Sequence, residues 1–256
     1  MKLTVEILGQ GKDLVMLHGW GMNSSVWHDF AQRLARHYRL TLIDLPGHGR
    51  SPYGGQEELQ SWAESCLAVA PEQAVWLGWS LGSMVTLEAV LQAPNRVDGV
   101  LVIAGMPRFV TAEDWPHAMK LKTLEQFIEL LGDDMSRALE RFLALQMLGS
   151  DLAVEVLRRL KTRLQERPDP NPEALQAGLE LLKHCDLRDR LKGISCPTTW
   201  IYGGRDTLAP SGASEVLPHW LPEARMHTIE RAAHTPFLSH PLETEKLVLH
   251  SLEAMA

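Results

Sequence analysis

Short apolar runs alternating with longer helical segments predict an α/β protein with a mostly parallel central sheet flanked by helices. Three observations carry that expectation. The runs are short, apolar and punctuated by Gly or Pro, as suits strands buried on both faces. The segments between them span ten or more residues, long enough for helices. After Pro107 the alternation stops, and about 75 residues show helical spacing alone before strand-like runs return.

Taken in order, Leu3 to Leu8 reads as an antiparallel edge strand, with Gly9 and Gly11 making the turn. Leu14 to Leu17 ends at Gly19, Leu40 to Leu45 is stopped by Pro46-Gly47, and Ala74 to Trp79 and Val97 to Ala104 follow. Helices are expected near 24–36, 57–70 and 81–93. From 110 to 184, Leu121, Leu124, Ile128 and Leu131 recur at helical spacing, as do Ala138, Phe142 and Leu145. Ala153, Val156, Leu157, Leu160 and Leu164 continue the pattern, followed by Leu175, Leu179 and Leu182. Gly132, Gly149 and the Pro168–Pro172 stretch divide this region into four helices. Strands resume at Thr198 to Tyr202 and Met226 to Glu230, and a last helix covers about 242–254. The expected organisation is a core of 1–109 and 185–256, interrupted by a helical lid at 110–184.

The chain has 256 residues and a formal net charge of −7, which disfavours a whole-surface affinity for nucleic acid. Three scattered cysteines, Cys66, Cys185 and Cys196, make no disulfide framework, and no spacing suggests a metal site. No run of about 18 apolar residues suggests a membrane span, and the first residues do not resemble a signal peptide. A cytoplasmic monomer without cofactor is expected.

The chemistry concentrates at strand ends. Gly78-Trp79-Ser80-Leu81-Gly82 matches G-x-S-x-G with a strand before it and a helix after it, the context of a nucleophile elbow. A serine hydroxyl needs a general base. His234 follows the last strand, and Asp206, in Tyr202-Gly203-Gly204-Arg205-Asp206, follows the strand before and supplies an orienting carboxylate. Oxyanion donors are expected from Leu81 N–H and from Trp20 N–H in His18-Gly19-Trp20-Gly21. His18, the nearest rival base, is read as bracing that loop. The loop Asp44-Leu45-Pro46-Gly47-His48-Gly49-Arg50-Ser51 and the Gly9-Gln10-Gly11-Lys12 stretch complete no nucleotide-binding motif.

The motifs LHGWG, DLPGHGRS, GWSLG, YGGRD and AAHTPF resemble those of the α/β-hydrolase superfamily along the whole chain. MLHGWGMNSSVW, AVWLGWSLG and the lid stretch Glu140-Arg141-Phe142-Leu143-Ala144-Leu145-Gln146 are similar to the pimeloyl-[acyl-carrier protein] methyl ester esterase family of biotin synthesis. The resemblance implies an α/β-hydrolase fold and the triad Ser80, Asp206 and His234. It also implies that Trp20, Ser80, Leu81, His234 and the segment Phe142, Leu143, Ala144, Leu145 and Gln146 line the substrate site. The implied activity is hydrolysis of the methyl ester of pimeloyl-acyl carrier protein.

The residues fit that implication. On a helix Phe142 and Gln146 share one face, while Arg137 and Arg141 share another, turned by about 100°. From 136 to 167 seven basic residues face four acidic ones, whereas 113–134 carries two lysines and six acids. The lid is therefore polarised, and Arg137, Arg141, Arg158 and Arg159 are candidates for docking an acidic acyl-carrier protein. Val154 stands where the resemblance leads one to expect another arginine. A short-chain carboxylesterase, another hydrolase of the superfamily and a non-catalytic ligand-binding module of the same fold remain alternatives on sequence grounds.

Overall fold

The computed structural model describes residues 2–255. Seven strands form one sheet: β1 Val5–Leu8, β2 Lys12–Leu17, β3 Tyr38–Ile43, β4 Ala74–Trp79, β5 Val97–Ile103, β6 Thr198–Gly203 and β7 Arg225–Ile229. The strand order is β1-β3-β2-β4-β5-β6-β7. Only the β1–β3 pairing is antiparallel. β1 is an edge strand with Ile7 exposed, and Gly9 and Gly11 turn it with φ of 76° and 113°. A Cβ at Gly9 would meet the carbonyls of Tyr38 and Ala35, so glycine is required there.

Ten α-helices are described: α1 His28–Leu34, α2 Leu59–Leu67, α3 Leu81–Gln92, α4 Leu121–Asp133, α5 Met135–Gln146, α6 Ala153–Leu164, α7 Pro172–His184, α8 Ala213–Val216, α9 Pro236–Ser239 and α10 Pro241–Ala254. None is long and apolar enough to cross a membrane. Alternate strand residues feed two apolar layers. Val15, Leu17, Trp76, Val100 and Trp200 meet α2 and α3. Leu14, Met16, Leu77, Leu101 and Ile201 meet Phe30 and Leu34 of α1 and Val248 and Leu252 of α10. Both faces are buried along Leu14–Leu17, Leu40–Ile43 and Val100–Ile103, which is why these stretches read as largely apolar.

Some boundaries differ from the sequence expectation. Residues 24–36 split into a 3-10 turn, Ser24–Trp27, and α1, because Asn23 Oδ1 accepts Ser25 N–H and caps the turn. Gly132 lies inside α4 rather than between helices. The break falls at Asp134, whose carboxylate accepts Arg137 N–H at 3.0 Å and starts α5. Residues 110–120 form an irregular segment anchored by fully buried Trp115, with α4 beginning only at Leu121.

The parallel strands β2 to β7 all end on the same edge of the sheet. The strand order reverses at β2, so the ends of β2 and β4 flank the crevice where open α/β sheets place ligands. The four helices α4 to α7 all lie between β5 and β6 in the chain. Phe127, Phe142, Leu175 and Leu179 join one apolar layer, while Leu143, Met147, Val156 and Leu160 join the other.

Candidate active site

β4 delivers Trp79 to the crevice, and the chain then turns sharply into α3. Ser80 sits in that turn with φ 54° and ψ −124°, a conformation L-residues rarely adopt. Its N–H donates to Ile103 O at 3.2 Å, and its carbonyl accepts from Ser83 N–H and Ser83 Oγ. The flanking glycines are a steric requirement. A Cβ at Gly78 would lie 2.5 Å from Ser83 Cα, and one at Gly82 would lie 2.6 Å from Leu17 O. Leu81 is the first residue of α3, so its N–H has no partner within the helix.

His234 follows β7 and is gripped from two sides. Its N–H donates to Gln146 O at the end of α5 (3.1 Å), and its carbonyl accepts Trp79 Nε1–H at 2.8 Å. Its Nδ1 lies 2.7 Å from Asp206 Oδ2. A carboxylate only accepts, so Nδ1 carries the proton and donates it, and Nε2 keeps its lone pair. Nε2 is buried without a hydrogen-bond partner among the described residues. Asp206 follows β6, and its other oxygen accepts Leu208 N–H at 2.8 Å and Ala209 N–H at 3.0 Å. Both carboxylate oxygens are thereby fixed. Ser80, Asp206 and His234 are 2%, 6% and 1% exposed, so the trio is deeply buried.

Trp20 lies opposite, in the loop after β2. Gly19 lets this loop approach the elbow: a Cβ there would sit 3.1 Å from Ser80 Cβ. The Trp20 indole donates to Leu175 O of α7 at 2.8 Å and meets Phe142 edge-on at 4.7 Å between ring centroids. Gly178 of α7 makes room for it, since a Cβ there would come within 2.7 Å of Trp20 Cδ1 and 3.2 Å of Leu81 Cδ2. His18 is no rival base. Its Nδ1–H donates to Gly19 O and its Nε2 accepts Leu45 N–H, so neither nitrogen is free.

Phe142 and Gln146 share the buried face of α5, as their spacing suggests. Gln146 is 1% exposed, and its amide oxygen and nitrogen both lack hydrogen-bond partners among the described residues. A buried, unsatisfied carboxamide is costly unless something bonds to it. Leu145 is half-buried, and Leu143 packs in the layer of Met147 and Val156. Ala144 is a correction to the expected lining: it is exposed, about 200° around the helix from Phe142. Leu143 instead helps wall a separate cavity of about 260 Å³ beside Gly21 and Met22, between α5, α6 and the 168–170 turn. That cavity has none of Ser80, Asp206 or His234 in its walls.

The lid arginines divide into two groups. Arg137, Arg141 and Arg158 are exposed and pair with no carboxylate among the described residues, although Arg141 lies over the Phe127 ring at 5.6 Å. Arg159 is a second correction, for its guanidinium is engaged by Asp29 at 2.6 Å. Lys161 pairs with Glu140 at 3.3 Å, and Val154 is 84% exposed.

No sequence pattern singles out Asp151, in the turn between α5 and α6. It accepts from Arg205 at 2.9 Å and from Arg231 at 2.5 Å. Arg205 adjoins Asp206, Arg231 lies three residues before His234, and Arg205 also donates to Gly149 O. One carboxylate therefore ties this turn to the loops that carry both Asp206 and His234.

A family model described as the alpha/beta hydrolase fold matches residues 13–241. The chain is 42% identical over 252 residues to the pimeloyl-[acyl-carrier protein] methyl ester esterase of Aeromonas hydrophila, covering 98% of this chain and 99% of that relative. It is 42% identical over 246 residues to the protein of the same name from Yersinia pseudotuberculosis, covering 96% and 95%. Among solved structures, an esterase from Exiguobacterium antarcticum superposes with a TM-score of 0.89 at 22% identity, over 98% of this chain and 95% of that one. The enol-lactonase from Burkholderia xenovorans gives a TM-score of 0.84 at 18% identity, over 98% and 96%. These two structures speak to the fold alone. The matches that run through elbow, lid and final loop establish that the chain belongs to the alpha/beta hydrolase family and, within it, to the group of the pimeloyl-[acyl-carrier protein] methyl ester esterases.

Proposed function

We propose that the chain is a serine esterase that hydrolyses the distal methyl ester of pimeloyl-acyl carrier protein, yielding pimeloyl-acyl carrier protein and methanol. The observations that carry the reaction class are the 2.7 Å Asp206–His234 bond with unpartnered Nε2 and a strained serine at a strand–helix elbow. The substrate comes from the names of relatives 42% identical along nearly the whole chain.

In this mechanism Ser80 Oγ attacks the ester carbonyl while His234 Nε2 takes the hydroxyl proton. Trp20 N–H and Leu81 N–H stabilise the oxyanion. His234 then protonates departing methoxide, leaving an acyl-serine. Water, deprotonated by the same Nε2, attacks the acyl carbonyl, the proton passes back to Ser80 as the carboxylic acid leaves, and the acid then gives its own proton to solvent. The new charge disfavours an apolar pocket and promotes release. Phe142 packs on the acyl chain, and the Gln146 amide supplies a donor and an acceptor for its polar atoms. Over this buried trio α4 to α7, inserted between core segments 1–109 and 185–256, act as a lid that shifts to admit the acyl arm. Arg137, Arg141 and Arg158 meet the acidic carrier. The thioester survives because the long arm places the distal ester, not the thioester, at Ser80.

Complementation tests this reading. A strain lacking the pimeloyl methyl-esterase step should grow without biotin when it carries the wild-type chain and fail to grow with Ser80→Ala. Growth with Ser80→Ala would refute the mechanism. Failure of the wild type, with p-nitrophenyl esters still hydrolysed, would refute the substrate.

A further inference from the structure

Two histidines outside the Ser80 group are fully buried, and each has both ring nitrogens committed. His18 Nδ1–H donates to Gly19 O at 2.8 Å, and its Nε2 accepts Leu45 N–H at 3.0 Å. His48 Nδ1–H donates to Pro46 O at 2.9 Å, and its Nε2 accepts Gly21 N–H at 3.3 Å. Each ring therefore donates within its own loop and accepts from the other. Their centroids lie 5.4 Å apart. The tautomers follow from the partners, because a carbonyl only accepts and a backbone N–H only donates. A protonated ring would set N–H against N–H. Burial pushes both histidines down, and with the neighbouring His18 it pushes His48 to about 3.

The pair grips the backbone on both sides of Trp20. Gly19 C=O and Trp20 N–H belong to one trans peptide unit, so they point in opposite directions. His18 Nδ1–H and Met22 N–H both bond the Gly19 oxygen, the latter at 3.3 Å. The Trp20 N–H is consequently turned to the other side, and Gly19 abuts Ser80. The next peptide unit, Trp20 C=O with Gly21 N–H, is held by His48. Fixing both planes fixes φ and ψ of Trp20, the only soft torsions between them. Bonding the Gly19 carbonyl also polarises that amide and strengthens its N–H as a donor.

We propose that His18 and His48 are positioning residues of the oxyanion site, a reciprocal pair that aims Trp20 N–H at the tetrahedral intermediate on Ser80. The proposal rests on Ser80 as nucleophile and Trp20 N–H as oxyanion donor. It differs from a general packing role because each ring nitrogen has its own task. At His18 the critical atom is Nδ1–H, which orients the Gly19–Trp20 peptide. At His48 it is Nε2, which holds Gly21 N–H.

Crossed amide variants separate the nitrogens. An asparagine amide reaches the Nδ1 place, and a glutamine amide reaches the Nε2 place. His18→Asn and His48→Gln should therefore stay within about threefold of wild-type kcat. His18→Gln and His48→Asn should lose about tenfold or more with KM unchanged, since removing an oxyanion donor outright costs about 10²–10³ in kcat. Affinity for an alkyl boronate, which forms a tetrahedral adduct on Ser80, should fall in parallel. Equal losses in all four variants, or losses that follow thermal stability, would overturn the proposal. A wild-type measurement guards against variants that do not fold. Nitrogen-15 histidine spectra should show both rings neutral with the proton on Nδ1, and an Nε2–H tautomer at either ring would overturn the proposal. A wild type that neither hydrolyses p-nitrophenyl esters nor labels at Ser80 with a fluorophosphonate would overturn the nucleophile assignment, and the proposal with it. An active, labelled wild type with the wrong variant order would overturn the proposal alone.

Discussion

Asp206→Asn tests the tautomer argument with almost no change in shape. In the native chain Oδ1 accepts two backbone N–H groups, and Oδ2 accepts His234 Nδ1–H. An asparagine amide has one accepting oxygen, and Leu208 and Ala209 N–H will draw it to the Oδ1 place. The NH₂ group is then left facing His234 Nδ1. Two donors cannot bond, so the imidazole proton moves to Nε2 to leave Nδ1 as acceptor. Nε2 is then protonated and cannot deprotonate Ser80. For a Ser-His-Asp triad this wrong-tautomer change costs about 10⁴ in kcat. At about 1.36 kcal/mol per decade, that is about 5.5 kcal/mol of barrier. Stability should change far less, because packing and three hydrogen bonds survive. A loss of about 1 kcal/mol would shift Tm by about 2–4 °C in a chain of this size. The assay is p-nitrophenyl ester hydrolysis beside thermal unfolding of the same preparations. A kcat within tenfold of wild type, or a loss that merely tracks unfolding, would mean that Asp206 does not set the His234 tautomer.

Gly178→Val should displace the Trp20 indole, which lies 2.7 Å from where a Cβ would sit, and lower kcat/KM at least tenfold while shifting tryptophan fluorescence. Arg231 and then Arg205 hold the Asp151 carboxyl below its usual range. A depressed folded value means that this tie is present above the unfolded value and lost as pH falls through the folded one. Limited proteolysis near residues 147–153 should therefore stay slow at neutral pH and quicken on acidification, whereas Asp151→Asn should be cut quickly at neutral pH too. Protection unchanged in Asp151→Asn would show that the tie does not hold the turn. Reversing Arg137, Arg141 and Arg158 to glutamate should raise KM for the carrier-linked ester about tenfold or more and leave p-nitrophenyl ester hydrolysis within about twofold. Equal effects on both substrates would remove the docking role.

Much of this architecture is legible in the residues because burial on both sheet faces leaves a plain signature. Ala74 to Trp79 reads as a strand since all six residues are apolar or glycine, and the strand spans those residues. The elbow is legible for a related reason. Only glycine tolerates the contacts at positions 78 and 82, so G-x-S-x-G marks a geometry and not merely a composition. Long-range electrostatics left no such trace. Asp151 meets partners 54 and 80 residues away, and no local pattern distinguishes it from any surface acid. Arg159 looks as free as Arg158 in the sequence, yet it is spent on Asp29 in α1, 130 residues distant. The irregular 110–120 segment is held by Trp115, and a single buried tryptophan carries no periodicity to read.

In the proposed reaction Ser80 cleaves the distal ester of a carrier-bound acyl chain and spares the thioester. Intact-mass spectrometry of the carrier after incubation with the protein tests it directly. Methyl-pimeloyl carrier should lose one CH₂ unit, as methyl ester becomes carboxylic acid, and stay acylated, with no change under Ser80→Ala. A carrier returned to its free thiol, or left unaltered by the wild type, would contradict it.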